Sequence, residues 1–159
     1  RADIVCFTRY SGGPVKFSPK YLGLIPQIKT HLRLDSIINM ENGDVCDAEV
    51  LKGQPVIAFC GIAKPEGFRQ ILEDVQVQLK IFKAFPDHHK YSLNDVKELE
   101  SIASQEEVKY ILVSEKDAVK FKGMKFSLPF FKVVIDLEIL EGREIFNKKI
   151  TTTTSRRDN

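Results

Sequence analysis

From residue 54 onward, strand-like and helix-like segments alternate along the chain. Apolar runs with the length of buried strands occur at 55–60, 110–113 and 131–135, and residues 75–85 contain another strand. Helical patterns follow at 65–73, 92–103 and 115–121, the first with Pro65 near its start. Because each helix returns the chain to the same edge of the sheet, the strands should run mostly parallel. The sequence therefore predicts an α/β fold, with three α/β/α layers around a mostly parallel sheet.

The chain ahead of this alternation follows a different pattern. The apolar run 4–7 predicts a short strand, and the spacing of apolar residues over 19–32 predicts a helix that Pro26 kinks or shortens. Asn42 and Gly43 separate two strand-like runs, and both residues tolerate a positive φ. We therefore predict a β-hairpin that connects two domains.

Composition excludes several classes of protein. A formal net charge of +2 is too small to indicate a nucleic-acid partner. No apolar run approaches the roughly 18–20 residues that span a bilayer. The three cysteines are odd in number and widely spaced, which favours free thiols in a reducing compartment over a disulfide framework.

Three segments follow predicted strands, at the edge where parallel sheets bind ligands. In the first, Gly61 lies between a strand and a helix that starts at Pro65. Gly61 would permit a tight turn, and the helix N-terminus offers free N–H groups to an anion. An ordinary strand-to-helix loop explains the same residues.

The second segment contains Asp87 and His88, followed by His89. A carboxylate beside an imidazole can hold one tautomer for proton transfer or favour the charged ring. Alternatively, Asp87 or His88 fixes the loop through hydrogen bonds to the backbone. A zinc site is disfavoured, because the chain offers no second cluster of Cys or His.

The third segment, which begins at Ser114, resembles a capping box, since Asp117 follows three residues later. Ser92 and Asp95 repeat the pattern. Lys116 opposes the helix dipole at this position, so we expect it to face a carboxylate or a phosphate. Nearby lysines make the region basic, either as a solvated face or as a surface for anionic lipid head groups; they are Lys116, Lys120, Lys122, Lys125 and Lys132.

Motifs for nucleotide binding are missing from the 159 residues. A P-loop requires G-x-x-x-x-G-K-[ST], and the dipeptide Gly-Lys occurs nowhere. The dinucleotide motif G-x-G-x-x-G and the hydrolase motif G-x-S-x-G are also missing. We therefore predict no cofactor-binding or metal-binding residues within this chain.

Taken together, the three segments resemble a family of bacterial enzymes. AFCGIAKPEGF resembles the pattern A-F-x-G-I-x-x-P-x-x-F, FPDHHKY with Asp95 resembles F-x-D-H-x-x-Y-x-x-x-D, and SEKDAVK resembles T-E-K-D-A-V-K. These are patterns of the tetraacyldisaccharide 4'-kinases of lipid A biosynthesis. The resemblance covers about residues 1–135, with Ser114 where the family usually has Thr.

The resemblance implies two α/β/α domains joined by a two-stranded linker. Residues 1–31 would be the C-terminal remnant of a P-loop kinase domain, and 32–50 the linker. Residues 51–147 would form the C-terminal domain, and 148–159 a disordered tail. The first domain's P-loop, metal-binding acids and proposed catalytic aspartate would lie in a missing N-terminal part, since the chain starts at Arg1 without an initiator Met.

The implied activity is an ATP-dependent lipid kinase at the cytoplasmic face of the inner membrane. With ATP and Mg²⁺, the complete enzyme would phosphorylate the 4'-hydroxyl of tetraacyldisaccharide 1-phosphate. His88 would tune the catalytic aspartate or orient the substrate, and Asp87 would position His88. Gly61, Lys116 and Asp117 would support the cleft. We expect this chain alone to be inactive, without tight ATP binding.

Other interpretations remain open. A free-standing α/β binding module could contact a protein partner or a membrane through the basic region. A small hydrolase using Asp87 and His88 is a weaker alternative, since no nucleophile can be named. If the first domain is absent, strand 4–7 loses its neighbours, and we expect it to pair with a second copy of the chain or to rearrange.

Overall fold

A computed structural model describes residues 2–10, 12–13 and 25–154. The chain divides into two compact units. One comprises Arg1–Arg33 with Leu137–Asn159, and the other comprises Leu34–Asp136. We call them the terminal unit and the central unit.

The described elements alternate as the sequence predicts from residue 54 onward. In chain order they are β1 (Val5–Phe7), β2 (Gln27–Asn39), β3 (Val45–Asp47), a 3-10 helix (Ala48–Leu51), β4 (Pro55–Cys60), α1 (Pro65–Asp74), β5 (Gln78–Ala84), α2 (Leu93–Gln105), β6 (Tyr110–Ser114), α3 (Glu115–Ala118), a 3-10 turn (Val119–Phe121), β7 (Phe130–Glu141) and α4 (Arg143–Thr154). β2 and β7 each contribute residues to both units.

The sheet of the central unit has the strand order β3-β2-β7-β6-β4-β5. β4 pairs in parallel with β5 and β6, and β6 pairs in parallel with β7, so the predicted mostly parallel α/β sheet is confirmed. β2 and β3 are antiparallel, with Ile37 opposite Cys46. Gly43 has a φ of +79° in the connecting turn, which confirms the predicted hairpin.

Helices cover both faces of this sheet. Phe59 of β4 is fully buried at the centre of one layer, among the rings of Phe85, Tyr91, Phe121 and Phe130 at centroid distances of 5.5–6.1 Å. Val96 and Leu99 of α2 belong to the same cluster. On the opposite face, Phe68 of α1 packs against Phe82 of β5 at 6.2 Å. The central unit therefore has the three predicted layers.

Two predictions, both for residues that belong mainly to the terminal unit, are wrong in part. The helix predicted over 19–32 is wrong for residues 27–32, which belong to β2. Ile28, Thr30 and Leu34 are buried and separated by two and four residues, so they lie on one face of the strand, and this period of two outweighs the helical spacing of the apolar residues. Residues 19–24 of that prediction lie outside the described part of the chain.

The second correction concerns the tail. Disorder was predicted for 148–159, but residues 148–154 continue α4. Gly142 precedes the helix with a φ of +84°, and a Cβ there would lie 2.7 Å from the backbone oxygen of Gln27. A glycine is therefore required at this turn. Residues 155–159 lie outside the described structure.

Strand β1 is paired within the chain. Val5 lies opposite Gln27 and Phe7 opposite Lys29, in parallel register. The expectation that 4–7 loses its neighbours is therefore wrong on one side, because β2 supplies one. Association with a second copy of the chain stays a prediction, as do the predicted domain boundaries and the P-loop remnant.

Candidate functional site

The three segments singled out in the sequence meet at one edge of the central sheet. Their strands β4, β5 and β6 end together at the carboxyl edge, because they run parallel. The amide of Phe85 donates to the carbonyl of Cys60 at 2.8 Å, and that of His88 to the carbonyl of Gly61 at 3.2 Å. The Gly61 amide in turn donates to the Asp117 carboxylate at 2.8 Å.

Asp117 is a fully buried carboxylate with several donors. Besides Gly61, it accepts hydrogen bonds from Lys120 Nζ at 2.7 Å and from Ser114 Oγ at 2.5 Å. Burial alone would raise its pKa, but the bonds from Lys120, Ser114 and Gly61 hold the pKa below its ordinary value. Asp117 is therefore a charged anchor rather than a proton donor near neutral pH.

Gly61 lies where a side chain would be crowded by its neighbours. A Cβ at this position would lie 3.1 Å from the Pro86 oxygen, 3.1 Å from the Tyr91 hydroxyl and 3.2 Å from the His89 Cβ. The segment after β5 thus packs directly on the Gly61 backbone. This close approach explains why a glycine follows β4.

Asp87 and His88 lie on the exposed side of this segment. His88 has a φ of +60°, and its side chain is 93% exposed. Asp87 Oδ1 accepts from the His88 amide at 3.1 Å, whereas the His88 ring nitrogen Nε2 lies 3.7 Å from Asp87 Oδ2. Asp87 therefore bonds the backbone of His88 and lies beside its ring, and the imidazole projects into solvent.

Lys116 does not join the other predicted residues. It is exposed, and no ion-pair partner for it is found in the described ranges. Lys120, one turn later, bonds Asp117 instead. Lys120 also lies over the Tyr91 ring, 5.6 Å from its centroid. It therefore contacts both the segment that begins at Ser114 and the segment that follows β5.

Sequence reasoning missed the roles of His89 and Tyr91. His89 stacks on Phe85 at 4.5 Å, and its Nε2 lies 3.4 Å from Asp95 Oδ2. The Tyr91 hydroxyl is buried without a hydrogen-bond partner in the described structure, and burial followed by the charge of Asp117 raises its pKa. The capping box at Ser92 fixes Asp95 beside this loop. The Ser92-Asp95 pattern was therefore the sequence signal that could have indicated a partner for His89.

A metal cluster is not found among the described residues. They hold no group of three or more His, Cys, Asp or Glu side chains placed to share a metal ion. No helix among residues 2–10, 12–13 and 25–154 is long and apolar enough to cross a membrane. The donors at this edge, the Gly61 amide, the Ser114 hydroxyl and the Lys120 ammonium group, all bond the Asp117 carboxylate rather than surrounding an open anion site.

Comparison with known proteins identifies the family. The family model for tetraacyldisaccharide-1-P 4'-kinase matches residues 1–154. This chain belongs to that family. A tetraacyldisaccharide 4'-kinase of Geobacter sulfurreducens is 30% identical over 142 residues, which cover 89% of this chain and 39% of the relative. One of Syntrophus aciditrophicus is 33% identical over 105 residues, covering 65% and 28%.

A solved structure has the same fold. It is LpxK from Aquifex aeolicus, described as a complex with ATP, and it is 24% identical to this chain. The TM-score is 0.58, with 91% of this chain and 40% of that chain covered. The likeness supports the α/β fold. Because the chain spans about a third of the length of these tetraacyldisaccharide 4'-kinases, the activity of the whole enzyme is a matter for proposal.

Proposed function

We propose that this chain is the C-terminal portion of a tetraacyldisaccharide 4'-kinase. The complete enzyme would transfer the γ-phosphoryl group of ATP, with Mg²⁺, to the 4'-hydroxyl of tetraacyldisaccharide 1-phosphate. The family match over residues 1–154 carries this proposal. A P-loop motif is not found in the sequence, so the phosphate-binding groups must come from a separate part of the enzyme.

In this proposal the chain supplies one wall of the cleft. His88 is the residue offered to the cleft, where it would orient the substrate or tune the aspartate that accepts the hydroxyl proton. Its exposed ring, held on a loop with backbone bonds to Gly61 and Asp87, suits that role. Asp87 then acts on His88 rather than on the substrate.

The proposed location is the cytoplasmic face of the inner membrane, where a lipid disaccharide would be found. Around α3 the surface combines lysines with one exposed apolar side chain, Val119, which is 72% exposed. Lys116, Lys122 and Lys125 are exposed beside it in the sequence. Each lysine near an anionic surface contributes about 1 kcal/mol of attraction. The same surface favours the alternative of a binding module.

The function is tested by comparing the chain alone with the complete kinase. Transfer of labelled phosphate from ATP to tetraacyldisaccharide 1-phosphate should occur with the complete enzyme. The 159-residue chain alone should show neither turnover nor micromolar ATP affinity. His88→Ala should lower kcat of the complete enzyme by about 10²-fold, as expected for a group that assists proton transfer.

A matched control is Lys90→Ala, an exposed residue two positions from His88. It should leave kcat within about twofold, as surface substitutions usually do. Turnover by the isolated chain would contradict the proposal. So would binding of anionic vesicles by a complete protein that has no kinase activity, which would favour the binding module.

A further inference from the structure

We propose that Asp117 is a positioning residue that presents His88 through the backbone of Gly61. This inference rests on the proposed function for its effect on phosphoryl transfer. The chain of contacts has two steps. Asp117 accepts from the Gly61 amide at 2.8 Å, and the Gly61 carbonyl accepts from the His88 amide at 3.2 Å.

The geometry of the loop makes the second step important. His88 has a φ of +60°, a left-handed conformation that is unfavourable for a residue other than glycine. Surrounding bonds must hold such a residue, and the His88 amide has two acceptors, Gly61 O and Asp87 Oδ1. Only the bond to the Gly61 carbonyl connects His88 to the sheet, because Asp87 lies on the same exposed loop as His88.

The first step is rigid because Asp117 is buried and charged. Its carboxylate has no exposed surface and is satisfied by Gly61, Lys120 and Ser114. The hydrogen bonds to a buried carboxylate are difficult to break, since an unpaired buried charge is energetically costly. The position of Gly61 is therefore fixed from β6 and α3, two elements that lie far from His88 in the sequence.

A purely structural role for Asp117, as the residue of the first turn of α3 that bonds the N-cap Ser114, predicts different behaviour. A residue with that role stabilises the whole unit, so its loss should affect all exchange and activity parameters independently of His88. A positioning residue acts through His88. Its substitution should change little once the imidazole is gone, because coupled residues are not additive.

The first experiment measures backbone amide exchange in the 159-residue chain by NMR. Asp117→Asn should accelerate exchange at Gly61 and His88 by about tenfold or more relative to the Ile111 amide in β6. Ser114→Thr and Ser114→Val are a matched pair of nearly the same shape, of which only Thr keeps the hydroxyl. Val should accelerate exchange at the same two amides, and Thr should not.

The second experiment is a double-mutant cycle in the complete kinase that contains this chain. Asp117→Asn should lower kcat about tenfold or more while the KM for ATP stays within about twofold, as expected for lost orientation. In a His88→Ala background, the same substitution should lower kcat by no more than about twofold. Ser114→Val should repeat this result if Asp117→Asn does not fold.

Two results would overturn the inference. One is an additive loss of kcat in the double variant, which would make Asp117 a structural residue only. The other is unchanged exchange at the Gly61 and His88 amides in both Asp117→Asn and Ser114→Val. The exchange experiment needs no turnover, so a failure of the proposed kinase function would be distinguished from a failure of this inference.

Discussion

Two Ser-x-x-Asp motifs in this chain share one sequence pattern but serve different structures. At Ser92 the box is closed locally, because Asp95 accepts from the backbone and hydroxyl of Ser92 itself, both at 2.7 Å. At Ser114 the backbone donor is instead Gly61, 56 residues away. Asp95 is 20% exposed, whereas Asp117 is fully buried.

The difference shows that a capping motif predicts where a helix starts, but not which other groups its carboxylate accepts hydrogen bonds from. The box at Ser92 begins a helix of 13 residues, which needs the cap. The helix after Ser114 has only four residues, so capping alone explains little of a buried Asp117. The main role of the Ser114 motif is to join the end of β6 to the end of β4, through the hydrogen bond from the Gly61 amide to Asp117.

The comparison is tested most strongly by removing each carboxylate's charge. Asp117→Asn should lower the free energy of unfolding by about 2–4 kcal/mol, because one acceptor oxygen becomes an NH2 donor facing another donor and the charge that pairs with Lys120 is lost. Asp95→Asn should cost about 0.5–1.5 kcal/mol, as for an ordinary cap. Urea unfolding of both variants measures this, and equal losses would show that the two boxes are equivalent.

The link to β4 is tested next by Gly61→Ala. Its Cβ must displace the loop that carries Pro86 and His89, at a cost of about 1–3 kcal/mol. The NMR signals of the His89 ring should shift. Gly123→Ala is the control, because its Cβ meets nothing within 4 Å and only the positive φ opposes it. A His89 signal that does not move would contradict the close packing.

In acid the two boxes should behave alike. Burial raises the pKa of each carboxyl, but the hydrogen bonds to each carboxylate lower it by more than burial raises it. Both pKa values therefore lie below the ordinary value of about 3.9. The folded state then binds fewer protons, and the stabilisation is present above about pH 4 and lost as the pH falls through the folded pKa. Asp117→Asn and Asp95→Asn should each flatten the stability curve below about pH 4, and an unchanged slope would contradict this.

The smallest expected effect concerns Cys60, which precedes Gly61. Burial, and then the charge of Asp117, raises the pKa of its thiol to about 11. In a Cys6→Ser, Cys46→Ser background the thiol should react only slowly with a disulfide reagent while the protein is folded. Asp117→Asn should lower the pKa of the thiol slightly and raise this folded-state rate more than Asp95→Asn does. Equal rates would weaken the link between Asp117 and β4.

Much of the central unit could be predicted from the sequence because its signals are local. Apolar runs between helix-start signals located β4, β6 and α2 to within two residues, and Asn42-Gly43 located the hairpin. The failures came from competing periodicities. Residues 27–32 carry both helical and alternating spacing, and pairing with β1 decides for a strand.

The site shows the same division. Its three segments were found from the sequence, since each follows a predicted strand and parallel strands end at one edge. The sequence could not tell which side chains turn inward. His88 and His89 are neighbours of one type, yet only His89 packs against Phe85, because the positive φ of His88 turns its ring to solvent.

The sequence by itself determined the alternation of elements, the family and the place of the three segments. Only the tertiary structure decided that the Asp117 carboxylate bonds the Gly61 amide, and that Lys120 rather than Lys116 neutralises it. The physical reason is that hydrogen bonding between distant strands depends on their register. Register between strands that are distant in the sequence follows from the burial pattern of all the strands together, so it cannot be read from any one segment.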